Sequence, residues 1–120
     1  MPNITLVATL LAGLCLACAA QSDDFSPVLT EEEFLEHVTG RELARLGVRL
    51  RVSPDGGIEG SGFGFQVSGR WDWRDGFFCR TLRYGTTELP LDCQRVKRRG
   101  DVLRFVSAQG QGEMADLRLR

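Results

Sequence analysis

At 120 residues the chain has room for one domain, and its formal net charge of −1 sets up no overall field for polyanions. The charge is segregated, however. Residues 21–40 hold six acids and no base, whereas residues 41–120 hold ten acids against all fifteen bases, a net of +5. Fourteen of those bases are Arg, scattered rather than clustered, so no nucleic-acid partner is expected.

The first segment, MPNITLVATLLAGLCLACAA, has no charged side chain and runs apolar from Ile4 to Ala20. That is a secretory signal pattern, with an A-x-A-like site at Ala17-Cys18-Ala19 or just after Ala20. It is somewhat short for a spanning helix, and no basic stop-transfer flank follows. Its n-region lacks Lys and Arg, which leaves open an uncleaved anchor, and cleavage before Cys18 leaves open a lipidated cysteine. Those are the two expected routes to a membrane. The expected location is periplasmic or secreted. Removal of residues 1–20 leaves Cys79 and Cys93, fourteen positions apart, and two thiols in an oxidising compartment are expected to form one disulfide. Zinc needs about four ligands, so two cysteines with His37 as the one histidine predict no metal site.

Residues 21–29, QSDDFSPVL, read as an extended linker, and residues 30–120 as a single β-rich domain. Thr30-Glu31-Glu32-Glu33 is a capping box, and acids in a first turn suit the helix dipole. With Phe34, Leu35 and Val38 on one stripe and Gly40 as a stop, the pattern predicts one short helix over 31–38. His37 lies on this helix beside Glu33 and Glu36, which would favour its protonation, and is read as a surface residue.

Beyond Gly40 the period changes to two. Val48–Val52 alternates apolar with Arg, and Pro54-Asp55-Gly56-Gly57 is a turn. The glycine-rich run Gly57–Gly69 invites comparison with a phosphate cradle. A dinucleotide loop must lead into a helix, yet Gly64 is followed by strand alternation, and no Lys-Ser/Thr pair supplies a P-loop. The run is read as a strand with Phe63, Phe65 and Val67 toward the core and Gly62, Gly64 and Gln66 on the other face. Trp71 and Trp73 share one face of the next segment, Asp75-Gly76 signals a hairpin, and strands follow at 77–83 and 91–97. Arg99-Gly100-Asp101 forms a turn, then strands at 102–107 and 113–119 flank a flexible 109–112. The fold class is therefore mainly β: a small antiparallel meander or barrel with one short N-terminal helix and one disulfide.

No catalytic constellation emerges. Asp72 and Asp75 belong to an outward strand position and a turn, and no cofactor is expected. The most distinctive stretch is Trp71-x-Trp73 with Phe77-Phe78-Cys79-Arg80. Both Trp residues can fill a core or line a barrel mouth. Arg80 shares an apparently inner face with Phe78 and Leu82, so it needs an acceptor, for which Asp92 is the candidate. Trp71, Trp73 and Arg80 are thus the candidate ligand-binding residues.

The segments EEEFLEHVTGREL, GVRLRVSPDGGIEG, SGRWDWRDGFFCR and DCQRVKRRGDVLRF resemble a group of small exported bacterial proteins of unknown role, some labelled dihydrodipicolinate reductase. A reductase of that name has a dinucleotide-binding domain and a much longer chain; this sequence has neither, and no site residue is carried over. The expected function is an exported, non-enzymatic binding or accessory module whose partner is a small ligand or an envelope protein. The alternative is an inhibitor or assembly partner of an envelope enzyme, acting through Arg-bearing strands. An enzyme, including the labelled reductase, is the third reading.

Overall fold

Thr30 opens the helix as its sequence predicts. The hydroxyl accepts from the Glu33 N–H at 3.2 Å, and the Glu33 carboxylate accepts from Leu29 N–H at 3.4 Å, reaching one residue past the cap. Helix α1 spans Glu31–Val38 and buries Phe34 and Val38. The computed structural model describes residues 24–120, so the expected leader, its cleavage site and Cys18 lie outside the described residues.

The rest is antiparallel strand: β1 (Ser26–Val28), β2 (Leu43–Arg45), β3 (Val48–Val52), β4 (Gly57–Gly62), β5 (Phe65–Arg74), β6 (Phe77–Tyr84), β7 (Thr87–Arg99), β8 (Val102–Val106) and β9 (Met114–Leu119). From β2 onward each strand pairs with its successor, and β9 returns to β2, so eight strands close as an up-and-down barrel. Closure removes the sheet edges that an open meander would expose. The core runs along the interior, from Leu43, Val52 and Ile58 to Leu103 and Leu117.

Two expectations need correction. The 21–29 segment is not merely a linker, because Ser26–Val28 pairs with Val96–Arg98 of β7. The long strand β7 outruns β6 at that end, and β1 takes the vacated edge. Val28 is fully buried there, and Phe25 lies between the guanidinium groups of Arg99 and Arg104, at 4.4 and 3.8 Å from its ring centre. The second correction concerns Gly57–Gly69, which is a hairpin rather than one strand. Phe63 (φ 48°) and Gly64 (φ 88°) form a two-residue turn between β4 and β5. Two left-handed residues in sequence match the twist of the flanking strands. Phe63 and Phe65 are therefore 68% and 56% exposed rather than core.

The turn also changes which face the glycines occupy. Gly60 lies opposite both Leu50 and Val67, and directly opposed residues share a face, so Gly60 points inward. A Cβ there would collide with the Arg49 carbonyl oxygen. Gly69, opposite Ile58 and Leu82, would similarly drive a Cβ into the Thr81 carbonyl. These are sites of close strand approach, where only glycine fits. No helix follows the turn, as none was expected.

Candidate functional site

One end of the barrel is plugged. Phe34 of α1 meets Trp71 at 5.4 Å, Trp73 at 5.1 Å, Phe78 at 5.1 Å and Phe105 at 6.4 Å, ring centre to ring centre. Tryptophan rings in such a cluster bury large apolar area but must place an N–H. Trp71 Nε1 donates to the Ser53 carbonyl at 2.9 Å and Trp73 Nε1 to the Leu29 carbonyl at 3.3 Å. Both tryptophans therefore clamp the helix and its entry segment onto the barrel end.

The other end is open. A cleft of about 610 Å³ enters between the β2–β3 and β8–β9 connections, within the size range of small-molecule sites. Phe78 and Phe105 form its inner limit, packed on each other at 5.4 Å, with Phe34 against them from the plugged side. One wall is apolar, built by Leu43, Leu50, Val52, Ile58 and Leu117. The facing wall, from β6 and β7, presents Arg80, Asp92 and Gln94. Of the three candidate binding residues, Arg80 lines this cleft; Trp71 and Trp73 lie behind its floor.

The polar wall follows from strand register. Arg80 is directly opposite Asp92, Phe78 opposite Gln94, and Cys79 opposite Cys93. The Cys79–Cys93 disulfide is formed, so it joins the two strands at the pair between those polar residues. Past Asp92 the register slips by one, since Leu82 faces Leu89. Pro90 sits in this bulge, where its missing N–H leaves no ladder bond unmade. Its freed carbonyl accepts from Arg80 Nη1 at 3.0 Å.

Arg80 Nη2 stands 3.7 Å from Asp92 Oδ2, with the two side chains 15% and 21% exposed. That separation is an ion pair but exceeds hydrogen-bond length. Asp92 is committed elsewhere: Oδ2 accepts from Gln94 Nε2 at 2.8 Å and Oδ1 from the Ala108 N–H at 2.9 Å. The second bond ties β7 to α2 (Ser107–Gly110), a helical turn interrupted by left-handed Ala108 and Gln109, which crosses where β8 has ended. A guanidinium has five N–H donors, and among the described residues Arg80 makes one hydrogen bond. Burial lowers its pKa, and Asp92 opposes that shift; the group stays cationic. The arrangement offers an apolar cup whose polar wall holds a guanidinium, ion-paired with Asp92, that has spare donors.

Gln94 was not anticipated from the sequence, although Asp92-x-Gln94 shares one strand parity and flanks Cys93. The slip at Pro90 lies before Asp92 and leaves that parity intact, but a glutamine by itself carries no signal of a site. His37 is half-buried on α1 and is not among the residues that line the cleft. Glu33 and Glu36 raise its pKa, as expected, but the net shift is downward, first from burial and then from Arg98. Asp72 pairs with Arg74 at 2.8 Å on the outer wall. Among the described residues no three His, Cys, Asp or Glu side chains cluster as metal ligands, and no helix is long and apolar enough to cross a membrane.

No protein-family model, curated protein or solved structure matches this chain.

Proposed function

We propose that this protein is an exported, non-enzymatic binding module that takes a small, largely apolar ligand into the open barrel mouth. The observation that carries this reading is the cleft of about 610 Å³, floored by aromatic rings and plugged behind by α1. A mostly apolar concavity with a few fixed polar groups is the usual form of a small-molecule site. The disulfide is consistent with an oxidising compartment, and the leader-like pattern of residues 1–20 supports a periplasmic setting.

The test is titration with N-phenyl-1-naphthylamine, a neutral probe that brightens in apolar surroundings. A saturable rise in emission is expected, and Ala115→Trp, which fills the cleft from β9, should abolish it while circular dichroism stays that of a β-barrel. Absence of probe binding, or binding indifferent to the added indole, would sink the reading.

A second reading, docking to an envelope protein, is favoured by exposed apolar side chains on the same rim: Leu46, Phe63, Phe65 and Met114. Contiguous apolar patches mark interaction surfaces. Replacing Phe63 and Phe65 by Ser separates the two, since it should weaken a protein partner and leave probe binding intact.

A further inference from the structure

We propose, building on the binding-module reading, that the ligand is an apolar monocarboxylate whose head group is taken by Arg80. Three observations converge on that chemistry. The first is that the Arg80 side chain is only 15% exposed and faces an apolar wall of Leu50, Val52, Ile58 and Leu117 across the cleft. A cation so placed needs acceptors, and one backbone carbonyl, that of Pro90, is hydrogen-bonded to it.

The second is that Asp92 is held away from the Arg80 fork by bonds to other groups. Both its oxygens already accept, from Gln94 and from the Ala108 amide. The bond from Ala108 ties Asp92 to the segment between β8 and β9, and Arg80 Nη2 stays 3.7 Å from its carboxylate. Asp92 therefore steadies Arg80 electrostatically without occupying its fork. The planar guanidinium edge left over matches a planar carboxylate, which it can bind through two parallel N–H···O bonds.

The third is the charge balance around the cleft. Arg80 and Arg45 are set against Asp92 and Glu113 among the lining residues, so the site is neutral before the ligand arrives. A monoanion is accommodated by Arg80. Both head groups would lie near Asp92; a monocarboxylate adds one negative charge there and a dianionic phosphate monoester adds two, so the phosphate is the more disfavoured. The tail then lies along the apolar wall, and the head group stays at the β6–β7 wall.

Displacement of bound N-phenyl-1-naphthylamine at pH 7.5 by decanoate, decanol and decyl phosphate tests this, since the three share one tail. Decanoate is expected to displace the probe at a concentration about 10- to 100-fold lower than decanol, the range for a charge-assisted hydrogen-bond pair. Decyl phosphate should be weaker than decanoate. In Arg80→Gln the ratio of decanoate to decanol potency should fall to about one or below, and Arg80→Lys should retain part of the advantage. Equal displacement by decanoate and decanol, stronger binding of decyl phosphate, or an advantage that survives Arg80→Gln would each overturn the head-group assignment. Those results leave the binding module standing, whereas failure of the probe to bind removes the module itself. The three-ligand comparison needs only the unmodified chain, so it decides even if the substitutions do not fold.

Discussion

Gly60 and Gly69 show how much a single missing Cβ matters in a small barrel. Each faces a carbonyl of the neighbouring strand at a distance no side chain can share. Gly60→Ala or Gly69→Ala must push two strands apart, and overpacking of this kind costs about 1–3 kcal/mol. The urea midpoint should fall accordingly. Gly64→Ala makes the contrast, because nothing lies within 4 Å of that position; its penalty comes only from the left-handed backbone and should be smaller, about 1 kcal/mol. The glycines were visible in the sequence, but their role was not. A strand reading put Gly60 on a face opposite Val67, and the two-residue turn at Phe63-Gly64 reverses that assignment. Arg80 is the counter-case. Its parity with Phe78 and Leu82 pointed inward, and Asp92 was its evident partner, because no slip intervenes between Cys79–Cys93 and the Arg80–Asp92 pair.

The helix and its plug make the element-scale argument. Phe34 is fully buried and touches four aromatic rings, so Phe34→Ala leaves a cavity beneath the cleft floor. The expected loss is about 3–5 kcal/mol, read from chemical denaturation. Thr30→Ala removes only the N-cap and should cost about 1 kcal/mol. The glutamates act on His37 in the expected direction but do not set the net shift, which lies beyond what one helix shows. In the folded chain Arg98 of β7 approaches from outside, and burial outweighs both glutamates. The sign is then fixed: the folded value lies below that of the unfolded chain, so the unfolded state binds the proton more readily. His37's contribution is complete above pH of about 6.5 and is lost as pH falls below it. The urea midpoint should decline through that window, and His37→Gln should flatten the decline.

At the scale of the whole molecule, the disulfide and the barrel closure act together. The bond spans fourteen positions, and loop closure of that size is worth about 3 kcal/mol in the chain-entropy model. It also clamps β6 to β7 beside Arg80 and Asp92. Reduction should therefore lower the unfolding midpoint and weaken decanoate binding more than decanol binding, since the loosened pair is the one that holds the head group. A Cys79→Ser, Cys93→Ser double variant checks the same point without reductant. A second pH effect belongs to the closing strands. Arg104 donates to Asp116 at 2.8 and 3.0 Å between β8 and β9, and that hydrogen bond holds the Asp116 pKa below its ordinary value. The stabilisation is present above the ordinary aspartate range and is lost as pH falls through the lowered folded value. Asp116→Asn should make the low-pH limb of the stability curve shallower.

Local chemistry determined a good deal. Alternation with period two, glycine-bearing turns and one capping box were enough for a meander with an N-terminal helix, because each rests on backbone preferences that act within a few residues. With Cys15 and Cys18 set aside in the leader-like segment, Cys79 and Cys93 were enough to expect the disulfide. What the interior holds was decided only by the tertiary structure. The sequence of Trp71 and Trp73 favours core but leaves a pocket open, and it is the docking of Phe34 that commits them to the plugged end. The same docking leaves the opposite mouth open, with Arg80 as the one candidate residue inside it. Strand parity is a local property, but which end of a closed barrel is filled depends on where a helix far away in sequence comes to rest.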